Sequence, residues 1–305
     1  METYALVAKH GSYTRAAQEL GVTRALISKR IQDLEAALDT KLLNRNTHNL
    51  SLTSIGKEYY ENCLAVLSQV RDIEDRVQSK RGVPRGEVKI LTSRTFGETV
   101  LGRIAAEFSR AYPRISVHIT LADRETATQG IDLVSGGFDI AVRTLPVRDK
   151  SLIGRAITGL PRILVATPDY VDRHGLPRKP SDLTRHNCLD PSGATHYTWN
   201  FRHAKEETSI RVSGSPCANS SLVIRNAAME GLGIAIMREY LVMDNIADGS
   251  LKRVLPNYTI DERTLYVVYH RDRRQPARIK IFVDYLTKRV EEFLKEATAS
   301  GFRRQ

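Results

Sequence analysis

The chain has 305 residues, 41% of them hydrophobic, which is enough for two or three domains that each bury a core. Its formal charge of +11 favours a polyanionic partner, although the same charge suits a protein that binds small acidic ligands. The three cysteines lie far apart without a C-x-x-C pair, which argues against a disulfide framework and a cysteine zinc site. With no membrane-length apolar run and no signal peptide, we expect a cytoplasmic protein without a membrane partner.

The first part of the chain reads as a small DNA-binding domain. Residues 1–52 alternate short helical stretches with tight connections and close in NRNTHNLSLT, which predicts a hairpin or wing. The segment GSYTRAAQELGVTRALISKRIQDLE predicts two short helices around Gly21, with Thr23 as the N-cap of the second. In that second helix Ile27, Ile31 and Leu34 share one face and are expected in the core.

The opposite face of the second helix carries residues suited to reading DNA. Lys29 and Gln32 can bind purine edges in the major groove, Ser28 can reach a base or a phosphate, and Ala25 can contact a thymine methyl. The alternative is an ordinary helix pair whose polar face is solvated, because helix-turn-helix patterns are only moderately specific.

A long amphipathic helix follows, from about Thr53 to Arg81. Its apolar residues recur at three- and four-residue steps, and they are Tyr59, Tyr60, Cys63, Val66, Leu67, Val70, Ile73 and Val77. The sequence Gly82-Val83-Pro84 is expected to end it. Because a lone helix of this length must bury its stripe, a second copy of the helix is the expected partner.

Beyond Gly86 the pattern changes to strand-like runs that alternate with helical stretches. The runs are EVKILTS, ISVHITL, FDIAVR, RILVAT, GIAIM and TLYVVYH. This alternation predicts an α/β domain with parallel strands. It breaks near Leu160 and resumes near Tyr266, with a final helix over about 276–296, so we expect two lobes joined by two crossings and a ligand crevice between them.

These segments together resemble the LysR-type transcriptional regulators. The resemblance rests on the helix-turn-helix segment, TSIGKEYYENCLAVL, LADRETATQGIDLVSGGFDIAVRT, VATPDYVDRHGLP and LVIRNAAMEGLGIAIM, and it covers essentially the whole chain. It implies a winged helix-turn-helix domain over 1–58, a linker or dimerisation helix over 59–85 and a periplasmic-binding-protein-like (type II) effector domain over 86–305. Lobe I is expected over 86–161 and 267–296, and lobe II over 162–266.

The resemblance also implies a reading surface, partners and an assembly. The implied DNA contacts are Arg24, Ala25, Ser28, Lys29 and Gln32, with Arg45 and His48 in the wing. The expected assembly is a homodimer or homotetramer on an interrupted inverted repeat of promoter DNA, with RNA polymerase as a further partner and no cofactor.

Three features depart from the family pattern. Leu43 replaces a common Phe, which is expected to be a harmless exchange in the core. His48 replaces a second wing arginine and so removes a permanent charge. Met1 stands where members have an internal residue, so the first helix is expected to lack upstream residues.

The expected effector site begins at the turn after the first strand of the second domain. Ser93, Arg94, Thr95 and Phe96 open a helix there, and hydroxyls and free N–H groups at a helix N-terminus suit an anion. The resemblance implies that four further residues face this turn, and they are Arg143, Thr144, Asn219 and Ser220. The alternatives are that Ser93 and Thr95 are simple helix caps and that Arg143 forms a surface ion pair.

Enzyme motifs are absent from the sequence. The pair Gly231 and Gly233 lacks the third glycine of a dinucleotide fingerprint and reads as a turn between a helix and a strand. No H-E-x-x-H occurs, the histidines show no metal spacing, and His118 is expected to be a packed or surface residue. The alternatives to a regulator are a solute-binding protein and an enzyme that works in the cleft.

Overall fold

The computed structural model describes residues 1–45, 50–79, 84–122, 133, 136–147, 149–271 and 276–302. Its N-terminal part comprises α1 Glu2–His10, α2 Tyr13–Leu20, α3 Arg24–Ala37, β1 Leu43–Arg45, β2 Leu50–Leu52 and the start of α4 Ser54–Ser79. β1 and β2 pair antiparallel, which confirms the predicted hairpin.

Local signals in the sequence set the turn between α2 and α3. The backbone N–H of Arg15 donates to the Ser12 hydroxyl at the start of α2, and Gly21 ends that helix in the left-handed region at φ 64°. The Leu26 N–H donates to the Thr23 hydroxyl at 3.3 Å. The predicted N-cap at Thr23 is therefore confirmed, and α2 and α3 form the expected helix-turn-helix.

The N-terminal core is closed by α4, whose first turns lie against the other helices. The Tyr4 hydroxyl donates to the Gly56 carbonyl oxygen at 2.8 Å. A Cβ atom on Gly56 would lie 1.9 Å from the Leu42 carbonyl oxygen, so only glycine allows this close approach. Leu43 is buried in the same core, which confirms the expectation that it occupies a core position.

The apolar stripe of α4 divides into two parts. Cys63 is buried in the N-terminal core, and Tyr59 packs against that core. Further along the helix Val66, Val70 and Ile73 are 38%, 46% and 52% exposed. The second part of the stripe is thus left uncovered within the described part of a single chain.

The second domain is built on one ten-stranded sheet. Its strands are β3 Gly86–Ser93, β4 Ile115–Ala122, β5 Ile140–Arg143, β6 Leu152–Ala166, β7 Cys188–Leu189, β8 His196–His203, β9 Glu206–Ser213, β10 Ile234–Arg238, β11 Lys252–Val254 and β12 Thr259–His270. The order is β4-β3-β5-β12-β6-β10-β7, with β11 on β6 and β8 between β12 and β9.

The expectation of a parallel sheet is only partly right. β3 pairs parallel with β4 and β5, and β7 pairs parallel with β10. β12 instead runs antiparallel to β5 and β6, and β10 runs antiparallel to β6. The sheet is mixed because the long strands β6 and β12 each continue from one half of the domain into the other in opposite directions.

Helices cover the sheet on both sides of the crossing. α5 runs through three consecutive segments, Arg94–Phe96, a π-helical turn Gly97–Leu101 and Gly102–Ala111. The other helices are α6 Pro168–His174, α7 Ser221–Met229, α8 Met243–Ala247 and α9 Ala277–Phe302, with 3₁₀ turns at Pro180–Arg185 and Glu239–Leu241. The last helix is longer than predicted, and the expected turn after α7 is present, with Gly231 at φ 68°.

Separate cores lie on the two sides of the crossing. One core joins Phe108, Leu265 and Phe282 with the strands at one end of the sheet. Another joins Trp199, Ile236 and their neighbours at the other end. A shift in the β6–β12 register between Ile260 and Arg263 lies between them. The arrangement is that of two lobes on one continuous sheet.

Over the described residues, the helices include none with the length and apolar character needed to cross a membrane. The same residues contain no group of three or more His, Cys, Asp or Glu side chains that could hold a metal ion. His118 is mostly exposed and pairs with Glu87 at 3.1 Å, so it is a surface residue.

Candidate DNA and effector sites

The exposed face of α3 is the first candidate site. Ile27 and Ile31 are fully buried, which confirms the predicted inner face of the helix. On the other side Arg24, Ala25, Lys29 and Gln32 are exposed and Ser28 is half-buried. At helical spacing these five residues lie along one accessible face of α3. A major groove is wide enough to accept a helix with such a face.

The wing contacts are described only in part. Arg45 ends β1, paired with Leu50 of β2, so its backbone is held by the hairpin. His48 lies outside the described residues.

Glu35 joins α3 to the start of the β1–β2 hairpin, and the sequence patterns did not single it out. Its side chain is 2% exposed and accepts hydrogen bonds from the backbone N–H groups of Leu42 at 2.9 Å and Leu43 at 3.1 Å. Lys41 Nζ lies 3.1 Å away. Burial alone would raise the pKa of the Glu35 carboxyl, but the bonds from Lys41, Leu42 and Leu43 together lower it. The sequence signal for this role is an acidic residue on the face of α3 that otherwise buries apolar residues.

Ser93 and Arg143 come together at the carboxyl ends of β3 and β5. The two parallel strands are in register with Thr92 opposite Val142. The next residue is Ser93 on β3 and Arg143 on β5. Ser93 is the residue before α5 and makes no capping hydrogen bond with its side chain. Its hydroxyl is therefore not used by its own helix, unlike the hydroxyls of Ser12 and Thr23.

Arg143 is the most unusual group at this edge of the sheet. Its Nε atom is buried, and among the described residues it has no hydrogen-bond partner. Burial lowers the pKa of its guanidinium. The described residues also give Arg143 no ion pair, so the surface-pair alternative finds no support there. A buried donor without an acceptor is costly unless a ligand or water satisfies it.

The other residues of the turn have different surroundings. Arg94 is exposed and lies 3.6 Å from Glu98. Thr95 is half-buried and its carbonyl oxygen accepts a hydrogen bond from the Thr99 hydroxyl at 2.6 Å. Phe96 belongs to the core of the first lobe, so its ring supports the turn from below.

Asn219 and Ser220 stand on the second lobe. Ser220 precedes α7 and makes no side-chain capping bond, while Asn219 is exposed next to the backbone of Gly193. Thr144 follows Arg143 on the first lobe. The structure thus brings Ser93, Arg143 and Thr144 to one sheet edge, while Asn219 and Ser220 lie just before α7 on the second lobe.

Tyr240 connects the lobes, and no motif in the sequence marks it. Its ring packs edge-on against Phe96 with the ring centroids 6.3 Å apart. Burial raises the pKa of its hydroxyl to about 12, while Arg238 and a hydrogen bond with Thr99 lower it. Because Tyr240 follows β10 and Phe96 lies in α5, the second lobe rests directly on the turn that carries Ser93 and Thr95.

Two family profiles match the chain, and together they cover nearly all of it. Residues 1–57 match the bacterial regulatory helix-turn-helix protein of the lysR family. Residues 81–291, more than half of the chain, match the LysR substrate binding domain. The chain belongs to the LysR family of transcriptional regulators. As a LysR-type regulator, it is a DNA-binding protein and not an enzyme.

Relatives and solved structures agree with this assignment. The HTH-type transcriptional activator TtdR of Escherichia coli K12 is 33% identical over 278 residues, which cover 90% of this chain and 88% of TtdR. The activator AaeR of the same strain is 30% identical over 289 residues, or 94% and 92% of the two chains.

Full-length AphB of Vibrio cholerae superposes with a TM-score of 0.64 at 28% identity, covering 94% of this chain and 97% of AphB. CrgA of Neisseria meningitidis superposes with a TM-score of 0.60 at 27% identity, covering 95% of this chain and 97% of CrgA. These matches place the helix-turn-helix and the two-lobed α/β domain in the fold of LysR-type regulators, which bind promoter DNA and effectors and form oligomers.

Proposed function

We propose that this LysR-type regulator controls its promoters in response to a small anionic effector, most simply a carboxylate, bound near Ser93, Thr95 and Arg143. The observation that carries the proposal is the buried Nε of Arg143, which lacks an acceptor among the described residues. A carboxylate can supply that acceptor and take a second, parallel hydrogen bond from the same guanidinium.

The surroundings of Arg143 support an anion rather than a neutral ligand. Its strand ends beside Ser93, whose hydroxyl is not used to cap α5. The carboxyl ends of strands in open α/β sheets are a common location for ligands. Beyond Arg85 the chain also carries 33 basic against 25 acidic residues, an excess that agrees in sign but is spread along the chain.

The proposed reading surface is Arg24, Ala25, Ser28, Lys29 and Gln32, with Arg45 and His48 in the wing. Exposure of the first five, apart from the half-buried Ser28, supports this assignment. The exposed second part of the α4 stripe supports dimerisation through that helix, which would present two reading helices to an inverted repeat. Contact with RNA polymerase belongs to the same proposal, as does action in the cytoplasm.

Calorimetry of the full-length protein against a panel of carboxylates at fixed ionic strength tests the effector assignment. We expect at least one carboxylate to bind and Arg143→Ala to weaken it by about tenfold or more, since a charge-assisted hydrogen bond contributes roughly 1.5–3 kcal/mol. Arg155→Ala is the matched control, because Arg155 is an exposed arginine paired with Asp284 at 2.9 Å.

Two results would contradict the effector assignment. One is binding that neither Arg143→Ala nor Ser93→Ala diminishes, which would place the ligand elsewhere. The other is a set of ligands confined to neutral or cationic compounds, which would overturn the anionic assignment itself.

A further inference from the structure

Three arginines from three strands meet where the chain crosses between the lobes. Arg162 lies on β6, Arg238 ends β10 and Arg263 lies on β12. Arg162 and Arg238 are directly opposite each other in the antiparallel β6–β10 pair, and opposite residues share one face of the sheet. Burial, followed by the charges of Arg162 and Arg263, lowers the pKa of the Arg238 guanidinium to about 10. The three cations therefore lie within electrostatic range of one another.

One carboxylate serves two of these arginines. Asp261 Oδ2 lies 3.2 Å from Arg162 Nη2 and 3.5 Å from Arg263 Nε. Arg238 donates to a neutral acceptor, the carbonyl oxygen of Leu160. Two guanidinium groups thus share a single oxygen atom, and the third binds the main chain.

Two further carboxylates lie next to these arginines along the chain. Glu239, next to Arg238, binds Arg253. The Glu262 carboxylate lies over Gly159, where a Cβ would come within 1.9 Å of its Oε1 atom. Even when Glu262 is counted together with Asp261, three guanidinium groups lie near two carboxylates, which is a local excess of positive charge.

Such an arrangement is unfavourable in the folded protein unless an anion joins it. Like charges directly opposite each other in a β-ladder destabilise it, and partial burial strengthens their repulsion because the local dielectric is lower than that of water. Planar guanidinium groups that converge from three strands can instead bind an oxyanion through several charge-assisted hydrogen bonds.

We propose that Arg238, with Arg162 and Arg263, binds a small oxyanion at the lobe crossing, separate from the effector proposed at Arg143. Carboxylate, phosphate and sulfate share the required chemistry. The bound anion would hold β6, β10 and β12 together, and β6 and β12 are the strands that connect the lobes. It would therefore favour one arrangement of the lobes over others.

Calorimetric titration of the full-length protein with sodium sulfate and with sodium phosphate, each at constant ionic strength in chloride, tests the site. We expect Arg238→Gln to weaken binding by about tenfold or more. Asp261→Asn removes the internal counter-charge, so it is expected to tighten binding by about threefold. Arg155→Gln on the same strand β6 removes one exposed cation and is expected to leave binding unchanged.

Arg238→Gln and Asp261→Asn are expected to change anion affinity in opposite directions. This pair of results separates an anion site from a self-contained ion-pair network. Arg263→Gln, at a more exposed position, replaces Arg238→Gln should the latter fail to fold. The proposal would be overturned if Arg238→Gln, or Arg263→Gln in its place, bound the anion as tightly as the wild type does. Weaker anion binding by Asp261→Asn would overturn it as well. A loss in Arg143→Ala alone would assign the anion to the effector site instead. Preference among sulfate, phosphate and the carboxylate panel then identifies the class of anion.

Discussion

Two charged groups, the buried Glu35 and the half-buried Arg143, show how differently the two domains treat polar burial. Glu35 is enclosed in the N-terminal domain with acceptor bonds to Leu42 N–H and Leu43 N–H and an ion pair with Lys41. Arg143 is partly enclosed at the edge of the second domain, and its Nε has no acceptor among the described residues. The first charge is neutralised within the fold, whereas we propose that a ligand neutralises the second. Glu35 therefore stabilises the helix-turn-helix domain itself, whereas Arg143 is the group to which we assign ligand binding.

Removing each of these two charges should affect the stability of the protein very differently. We expect Glu35→Ala to lower the free energy of unfolding by about 3 kcal/mol, because it leaves two buried N–H groups without an acceptor. Arg143→Ala is expected to leave that free energy unchanged or to raise it, because no hydrogen bond of Nε is lost and a buried donor without an acceptor is removed. Urea unfolding of both variants, with the exposed Glu58→Ala as a control, gives the values.

Acid titration sharpens the same contrast. Since the pKa of Glu35 is lower in the folded state than in the unfolded chain, its stabilisation is present above the ordinary glutamate pKa and is lost as pH falls through the folded value. Glu35→Gln should therefore flatten the acid side of the stability curve. A cost for Glu35→Ala no larger than that for Glu58→Ala would contradict the structural role.

Helix α4 carries an apolar surface of Val66, Val70 and Ile73 that is exposed among the described residues, and a charge there should act on assembly. Val70→Asp is expected to raise the dissociation constant of a dimer by more than about a hundredfold, because a carboxylate would be buried without a partner. Light scattering at micromolar concentration measures the mass. Lys57→Asp, at an exposed position of the same helix, is the control. A folded Val70→Asp variant of unchanged mass would exclude α4 as the dimer contact.

The exposed face of α3 should matter to DNA and not to folding. Lys29→Ala and Gln32→Ala are expected to cost roughly 1–3 kcal/mol of binding at particular base pairs, without a change in stability. Fluorescence anisotropy on a duplex selected from a random library, and on variants of it, measures the cost.

Arg30→Ala is the matched control for these variants, since Arg30 lies on α3 with its Nη1 3.4 Å from the Thr3 hydroxyl. It is expected to weaken specific and random duplexes alike. Equal losses on both kinds of DNA by Lys29→Ala and Gln32→Ala would show that the helix face was wrongly assigned.

The sequence predicted those parts of the fold that local chemistry controls. Thr23 caps α3 as expected, and Ile27 and Ile31 lie in the core, because hydroxyl capping and helical spacing act within a few residues. The mixed sheet was not foreseen, since strand direction depends on pairing between residues far apart. For example, Arg238 lies opposite Arg162.

For the candidate sites too, the sequence predicts the local motifs and not the contacts between distant residues. The motif after Ser93 marked the first lobe, but the neighbourhood of Ser93 and Arg143 depends on the register of β3 and β5. The contact of Tyr240 with Phe96 joins two lobes and has no signature in the sequence. Pairs of this kind follow from the tertiary fold alone.

We propose that an anion bound at Arg143 changes how the protein binds DNA. The direct measurement is the DNA affinity of the full-length protein, by anisotropy on the selected duplex, with and without the carboxylate that binds most tightly in calorimetry. We predict a shift of about tenfold for the wild type, which requires a preference of only about 1.4 kcal/mol between lobe arrangements. In Arg143→Gln the shift should disappear while the affinity without carboxylate stays unchanged. The same shift in both proteins would contradict the claim.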